Sequence, residues 1–310
     1  MTPLAASVGD YLVVRRALGY KLERAEKLLG QFVTYCDSVG VSVITTEVAV
    51  AWACLPADGS RWWWTQRLSV VRVFAKWLQA HEPATVVPPP DVFGRVEIPR
   101  AVPYLYTDAE VMALMDAAER LRYPLARVTY RTLIGLLAVT GMRVGEAIRL
   151  DCDDVDWDDR TLRVRSSKFD KSRLVVLHAS AAAALKAYAV GRDELCPNPK
   201  APALLLSGAG TRLIYCNVSS LFRKMAAIAG LPPRSGRCRP RIHDLRHAFA
   251  VRTITDWHAA GVDVEARLPS LSTYLGHADP KDSYWYLSAT PELLALSVRR
   301  LDGLDIGGVR

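Results

Sequence analysis

Prolines 83, 88, 89, 90, 99 and 103 punctuate the stretch between His81 and Tyr104. Proline has no backbone N–H and a fixed φ, so no continuous helix can cross this stretch, and an extended strap is expected instead. The chain is therefore read as two parts, residues 1–82 and 105–310, joined by a linker over 83–104; the alternative is a long surface loop within one domain. With 310 residues, half of them apolar, a sizeable packed core is expected.

Before the strap, apolar residues recur at spacings of three and four. They predict helices over Val8–Leu18, Leu22–Tyr35, Thr45–Ala53 and Trp64–Leu78, the last burying Leu68, Val71, Phe74, Ala75 and Leu78. After the strap, Thr107 and Glu110 form a capping box for a helix over Asp108–Leu121. A helix over Val128–Val139 should stop at Gly141, and a short one should end at Leu150. Alternation in Thr161–Arg165 and Arg173–Leu177 predicts a β-hairpin turning through Ser166–Ser172. Further helices are expected at Ala179–Val190, Val218–Ala229, His243–His258, Leu268–Leu275 and, amphipathic, Pro291–Leu301. The fold class is mainly α, with a small antiparallel sheet in the second part.

A formal charge of +8 and a pI near 9.2 point to an anionic partner. The six cysteines form no C-x-x-C pair and have no close histidine, so structural thiols are expected rather than a zinc site. The N-terminus has no basic stretch followed by an apolar run, and no apolar segment approaches bilayer length. A cytoplasmic protein is expected.

Four segments carry groups suited to phosphate chemistry. Arg143 lies in Thr140-Gly-Met-Arg-Val-Gly-Glu-Ala, after a helix stop and before a helix start, where a guanidinium beside backbone N–H groups makes a phosphate site. Alone, such an arginine is more often a surface ion pair. His243 and Arg246, in His243-Asp-Leu-Arg246-His247, share one helix face. Gly276-His277 stands at a helix end, and Tyr286 follows nine residues later. Lys168 and Lys171 occupy the hairpin turn.

The ordered set of G-M-R-x-G-E, a hairpin lysine, H-x-L-R-H, then L-G-H followed by Tyr resembles the tyrosine recombinase and integrase family over nearly the whole chain. The catalytic-domain match covers Tyr104–Leu301; the helical N-terminus and strap look like the family's core-binding, SAM-like DNA-binding domain. The ending Tyr284-Trp-Tyr-Leu-Ser-Ala-Thr-Pro-Glu-Leu is similar to transposon-encoded members. Matched by motif, Arg143 and Arg246 are the two catalytic arginines, Lys168 the hairpin lysine, His243 and His277 the histidines, Tyr286 the nucleophile and Glu146 the support of the first arginine. Gly145 replaces a common Ser or Thr, and Asp170 a common turn glycine.

The resemblance implies a site-specific recombinase, integrase or transposase that exchanges strands of double-stranded DNA through a 3′-phosphotyrosyl intermediate and a Holliday junction. It needs no cofactor and no metal, and acts as a homotetramer or related hetero-tetramer on two DNA sites. A bacterial, nucleoid-associated location follows. A DNA-binding accessory that cuts nothing and a type IB topoisomerase-like relaxation activity are the alternatives. In this chemistry guanidinium groups stabilise charge on the non-bridging oxygens, His243 is the candidate base for the Tyr286 proton, and Lys168 protonates the leaving 5′ oxygen, with Lys171 as second candidate. His277 donates to a non-bridging oxygen.

The acidic run Asp151, Asp153, Asp154, Asp156, Asp158 and Asp159 invites a Mg²⁺ site, but its position just before a strand favours turn residues. Arg234, Arg237, Arg239 and Arg241 are expected to track the DNA backbone, as are Arg61, Arg67, Arg72 and Lys76 of the fourth helix. Trp62, Trp63 and Trp64 read as core or interface anchors. The helix carrying Leu293, Leu294, Leu296, Val298 and Leu301 is expected to dock either on a neighbouring subunit or in cis.

Overall fold

The computed structural model describes residues 2–94, 101–165 and 172–276. These form two compact units, divided at Arg100. In the first, α1 (Pro3–Ala17), α2 (Glu23–Ser38), α3 (Thr46–Ala53) and α4 (Arg61–Leu78) pack around Leu29, Phe32, Trp52, Leu68 and Phe74, all fully buried. Thr45 and Ser60 accept from backbone N–H groups at the starts of α3 and α4, so each helix begins at a side-chain cap. α1 starts at Pro3 rather than Val8, because proline is pre-set for the first helical turn.

The proline strap does not hang free of this unit. Val86 donates to the Ile44 carbonyl at 2.8 Å, Gln79 Nε2 donates to the Thr85 carbonyl, and Val87 and Phe93 pack on the helical core. Tyr104, at the expected end of the linker, is buried in the second unit, where Val102 donates to the Arg237 carbonyl.

In the second unit α6 (Pro124–Thr140) lies at the centre, packed by α5 (Asp108–Ala117), α8 (Ala179–Leu195) and α10 (Asp244–Ala259). Its inner face carries Leu133, Ile134 and Leu137 into a core completed by α7 (Val144–Arg149) and α9 (Tyr215–Ile228). A smaller cluster, Ile254, Leu268, Leu271 and Leu275, joins α10 to α11 (Val264–Leu275). The sheet is antiparallel in the order β1 (Val155–Asp156), β2 (Thr161–Val164), β3 (Arg173–Val176), with Leu162 opposite Val175 and Val164 opposite Arg173. The two-residue β1 is too short for alternation to reveal.

α11 begins four residues before its expected start. Pro269 lies inside it, but proline forfeits only its own bond to the Glu265 carbonyl, while the Asp263 carboxylate caps Ala266 and three leucines and a valine bury the inner face. α6 likewise starts early, at a proline in its first turn. The Pro291–Leu301 segment lies outside the described residues. None of the described helices is long and apolar enough to cross a membrane.

Arg67, expected on the DNA-facing side of α4, is instead buried. Its Nη2 donates to the Trp52 carbonyl at 2.9 Å and its guanidinium lies 3.9 Å from the Trp52 ring centroid, closing the C-terminal end of α3. Of the three tryptophans, Trp62 is exposed, Trp63 packs on the core, and Trp64 donates from its ring nitrogen to the Pro56 carbonyl.

Gly141 ends α6 with φ +60°, and a Cβ built there would sit 2.3 Å from the Phe249 ring of α10. Gly141→Ala therefore combines left-handed strain with overpacking. We expect it to lower unfolding free energy by about 2–5 kcal/mol in urea titration; a loss below about 0.5 kcal/mol would mean that Phe249 moves aside at no cost.

Candidate active site

The site is built where two helices end. Gly141 closes α6 and Gly276 closes α11, both with positive φ, so each chain turns sharply and leaves its last carbonyls pointing outward. Arg246, on the first turns of α10 and 2% exposed, spans the gap between them. Its Nη1 donates to the Gly141 carbonyl at 2.8 Å and its Nη2 to the Leu275 carbonyl at 2.9 Å. Arg143 precedes α7, and its Nη2 donates to the next carbonyl, that of Gly276, at 3.0 Å. Two guanidinium groups distant in sequence thus hang from adjacent peptide oxygens, immediately ahead of His277.

Glu146 fixes the second side of Arg143. Its carboxylate accepts from the Arg143 backbone N–H at 2.8 Å and from Arg143 Nη1 at 3.0 Å. It also accepts a forked pair from Arg173 on β3, Nη1 at 3.0 Å and Nη2 at 2.8 Å. Burial alone would raise the Glu146 pKa, but the Arg173 hydrogen bonds and charge, followed by those of Arg143, bring it down to about 2.

His243 immediately precedes α10 and keeps an open face to solvent. The protein around the ring, then the positive charge of Arg246, with smaller shares from Arg241 and Arg143, hold its pKa below the ordinary histidine value against the opposing pull of Asp244. The imidazole is therefore neutral at physiological pH and able to take a proton. Beside it Asp244, fully buried, accepts from Tyr104 N–H and from Arg241 Nε and Nη2. The His243 and His247 rings meet edge to face at 5.1 Å.

Arg143, Glu146, His243 and Arg246 are thus brought together; Lys168, Lys171, His277 and Tyr286 lie outside the described residues. Among the expected DNA-facing cations, Arg61, Lys76, Arg237 and Arg239 are exposed and Arg72 is half-buried, its Nη2 near Ser69 Oγ. Arg234 is tied to Glu110 and lies over the Tyr104 ring, and Arg241 pairs with Asp244. The acidic run does turn and strut work: Asp151 pairs with Arg212, Asp154 with Arg165, and Asp156 accepts from the N–H groups of Asp158 and Asp159.

Sequence reasoning missed Arg173 and Asp244. Arg173 shares the inward register of β3 with buried Val175, while Leu174 and Val176 face out, so a charge on the inner face was the available signal. Asp244 stands beside His243 within the same motif.

The sequence profile described as the phage integrase family matches residues 105–292, the stretch that holds this cluster. The chain belongs to the phage integrase family. It is a site-specific DNA recombinase of the tyrosine class. A Sinorhizobium fredii protein, y4rB, named among the integrases/recombinases, is 39% identical over 97% of this chain and 98% of its own length. The tyrosine recombinase XerC of a Mycobacterium species is 30% identical over 80% of this chain and 79% of its own. The fold is shared with the Tn1549 transposon integrase, solved with transposon right end DNA, at a TM-score of 0.62 and 16% identity, over 97% of this chain and all of that one.

Because the Glu146 pKa is depressed on folding, its contribution to stability is present above pH 4.5 and is lost as pH falls toward 2. The stability gap between wild type and Glu146→Gln, followed by urea denaturation across pH, should narrow by on the order of 3 kcal/mol over that interval. A gap independent of pH would contradict the assignment.

Proposed function

We propose that this recombinase uses Arg143, Lys168, His243, Arg246, His277 and Tyr286 as its catalytic set. The observation that carries the reading is the meeting of Arg143 and Arg246 on the Leu275 and Gly276 carbonyls, one residue before His277. A scissile phosphate seated between the two guanidinium groups places its non-bridging oxygens against fixed cations, which need no reorganisation as charge builds. The Tyr286 oxygen attacks phosphorus, His243 takes the phenolic proton, and the P–O bond to the 5′ oxygen breaks as Lys168 protonates it. The products are a 3′-phosphotyrosyl link and a free 5′ hydroxyl. Attack by the 5′ hydroxyl of a second strand reverses the same steps, releasing Tyr286 and exchanging strands without ATP.

Duplex DNA is the substrate, and the similarity to a transposon integrase and to the y4rB protein favours a mobile element as the source of the sites. In the proposed assembly four subunits, all of this chain or some of a relative, hold two sites, as the family resemblance implies. Within the N-terminal unit Arg61, Arg72 and Lys76 are the proposed phosphate contacts, with Arg237 and Arg239 serving the catalytic unit. A cytoplasmic, nucleoid-associated location fits this substrate.

A suicide DNA substrate that loses its short 5′ fragment on cleavage should yield a denaturation-resistant adduct in EDTA, absent in Tyr286→Phe. Arg143→Ala and Arg246→Ala should each slow its formation on the order of 100-fold or more. An adduct that persists in Tyr286→Phe but disappears in Tyr284→Phe would move the nucleophile. No adduct on the cognate site would favour an accessory protein, and plasmid relaxation without site dependence a topoisomerase.

The pH profile of adduct formation should have an acid limb below the ordinary histidine range, absent in His243→Gln. An unchanged limb in that variant would remove His243 as the base.

A further inference from the structure

We propose that Arg173 is a positioning residue for Arg143, acting through Glu146; this rests on the catalytic reading of Arg143 above. All three guanidinium nitrogens of Arg173 donate to protein: Nε to the Tyr274 carbonyl at 2.9 Å, Nη1 and Nη2 to the two oxygens of Glu146. Its side chain is 12% exposed against 31% for Arg143. Arg173 thus links β3, α7 and the end of α11, whereas Arg143 keeps an accessible edge.

The division of labour follows from charge. The Glu146 carboxylate is buried and ionised, so it must be matched by a cation. Arg173 supplies that match with a two-pronged fork, and Arg143 gives Glu146 a single guanidinium nitrogen while its Nη2 reaches Gly276. Without Arg173, Arg143 would be the sole cation hydrogen-bonded to a buried carboxylate. It would be drawn into the fork itself, leaving the Gly276 carbonyl and turning its donors away from the phosphate. Lysine cannot replace Arg173, because one ammonium does not reproduce a planar fork plus a third donor.

The backbone at the end of α11 is adapted to this guanidinium. A Cβ at Gly276 would lie 2.8 Å from Arg173 Nη1, and φ there is +69°. Glycine at the helix end therefore does two things: it turns the chain toward His277 and leaves room for Arg173.

The test compares Arg173→Gln, Arg173→Lys, Glu146→Gln and the double variant Glu146→Gln/Arg173→Gln. Single-turnover adduct formation, DNA affinity by fluorescence anisotropy and thermal unfolding are measured on each full chain. Both Arg173 variants should bind DNA within about twofold of wild type and cleave on the order of 100-fold more slowly. Adding Glu146→Gln should recover about tenfold of the rate lost in Arg173→Gln, because the charge that captures Arg143 is gone. Wild-type cleavage in Arg173→Gln, or a loss that tracks unfolding with no recovery in the double variant, overturns the proposal.

A crystal structure of Arg173→Gln, or of Arg173→Lys should the former not fold, needs no activity. Arg143 Nη2 displaced from the Gly276 carbonyl onto Glu146 supports the proposal, and Arg143 unmoved overturns it. An inactive wild type whose Arg143 nonetheless moves in the variant would sink the catalytic reading and leave the positioning role standing.

Discussion

The carbonyl oxygens at two helix ends hold the site together. The last carbonyls of a helix have no partner within it and carry its negative dipole end, so they attract cations and accept their hydrogen bonds. α6 and α11 end in left-handed glycines, and the oxygens of Gly141, Leu275 and Gly276 receive Arg246 and Arg143. Backbone oxygens are suited to this. They orient the guanidinium groups without neutralising them.

Where full negative charge is used, it lies behind the arginines. Glu146 and Asp244 are both buried, and each is met by an arginine fork, Arg173 in one case and Arg241 in the other. Each fork occupies a carboxylate that would otherwise compete with phosphate for a catalytic cation. Burial first, and then the same cationic surroundings, lower the His243 pKa and favour its neutral imidazole. One electrostatic arrangement therefore serves two ends: it prepares phosphate binding and keeps the base unprotonated.

Much of this was legible in the sequence because it depends on local chemistry. Gly141 and Gly276 announced helix ends, the Thr107–Glu110 capping box fixed the start of α5, and alternation gave β2 and β3. The family resemblance pointed to Glu146 as the support of Arg143, and its carboxylate accepts from Arg143 in the folded chain. The DNA-facing reading of Arg67 failed because charge was read ahead of period. Arg67 lies four residues before Val71 and seven before Phe74, on the buried stripe, and its partner is a carbonyl fifteen residues earlier. Arg173 was passed over for a related reason: its partners are Glu146 and Tyr274, and only the folded chain brings these together. Long-range pairing to main-chain oxygens leaves no motif, since any residue can supply a carbonyl.

The central claim is that Arg143 and Arg246, hung from neighbouring carbonyls, grip one and the same phosphate. The most direct measurement is a structure of the Tyr286→Phe protein assembled on DNA carrying its recombination site. The account predicts both guanidinium groups on the non-bridging oxygens of a single phosphate, with the Gly141, Leu275 and Gly276 contacts retained. Arginines on two different phosphates, or a scissile phosphate seated away from both, would contradict it.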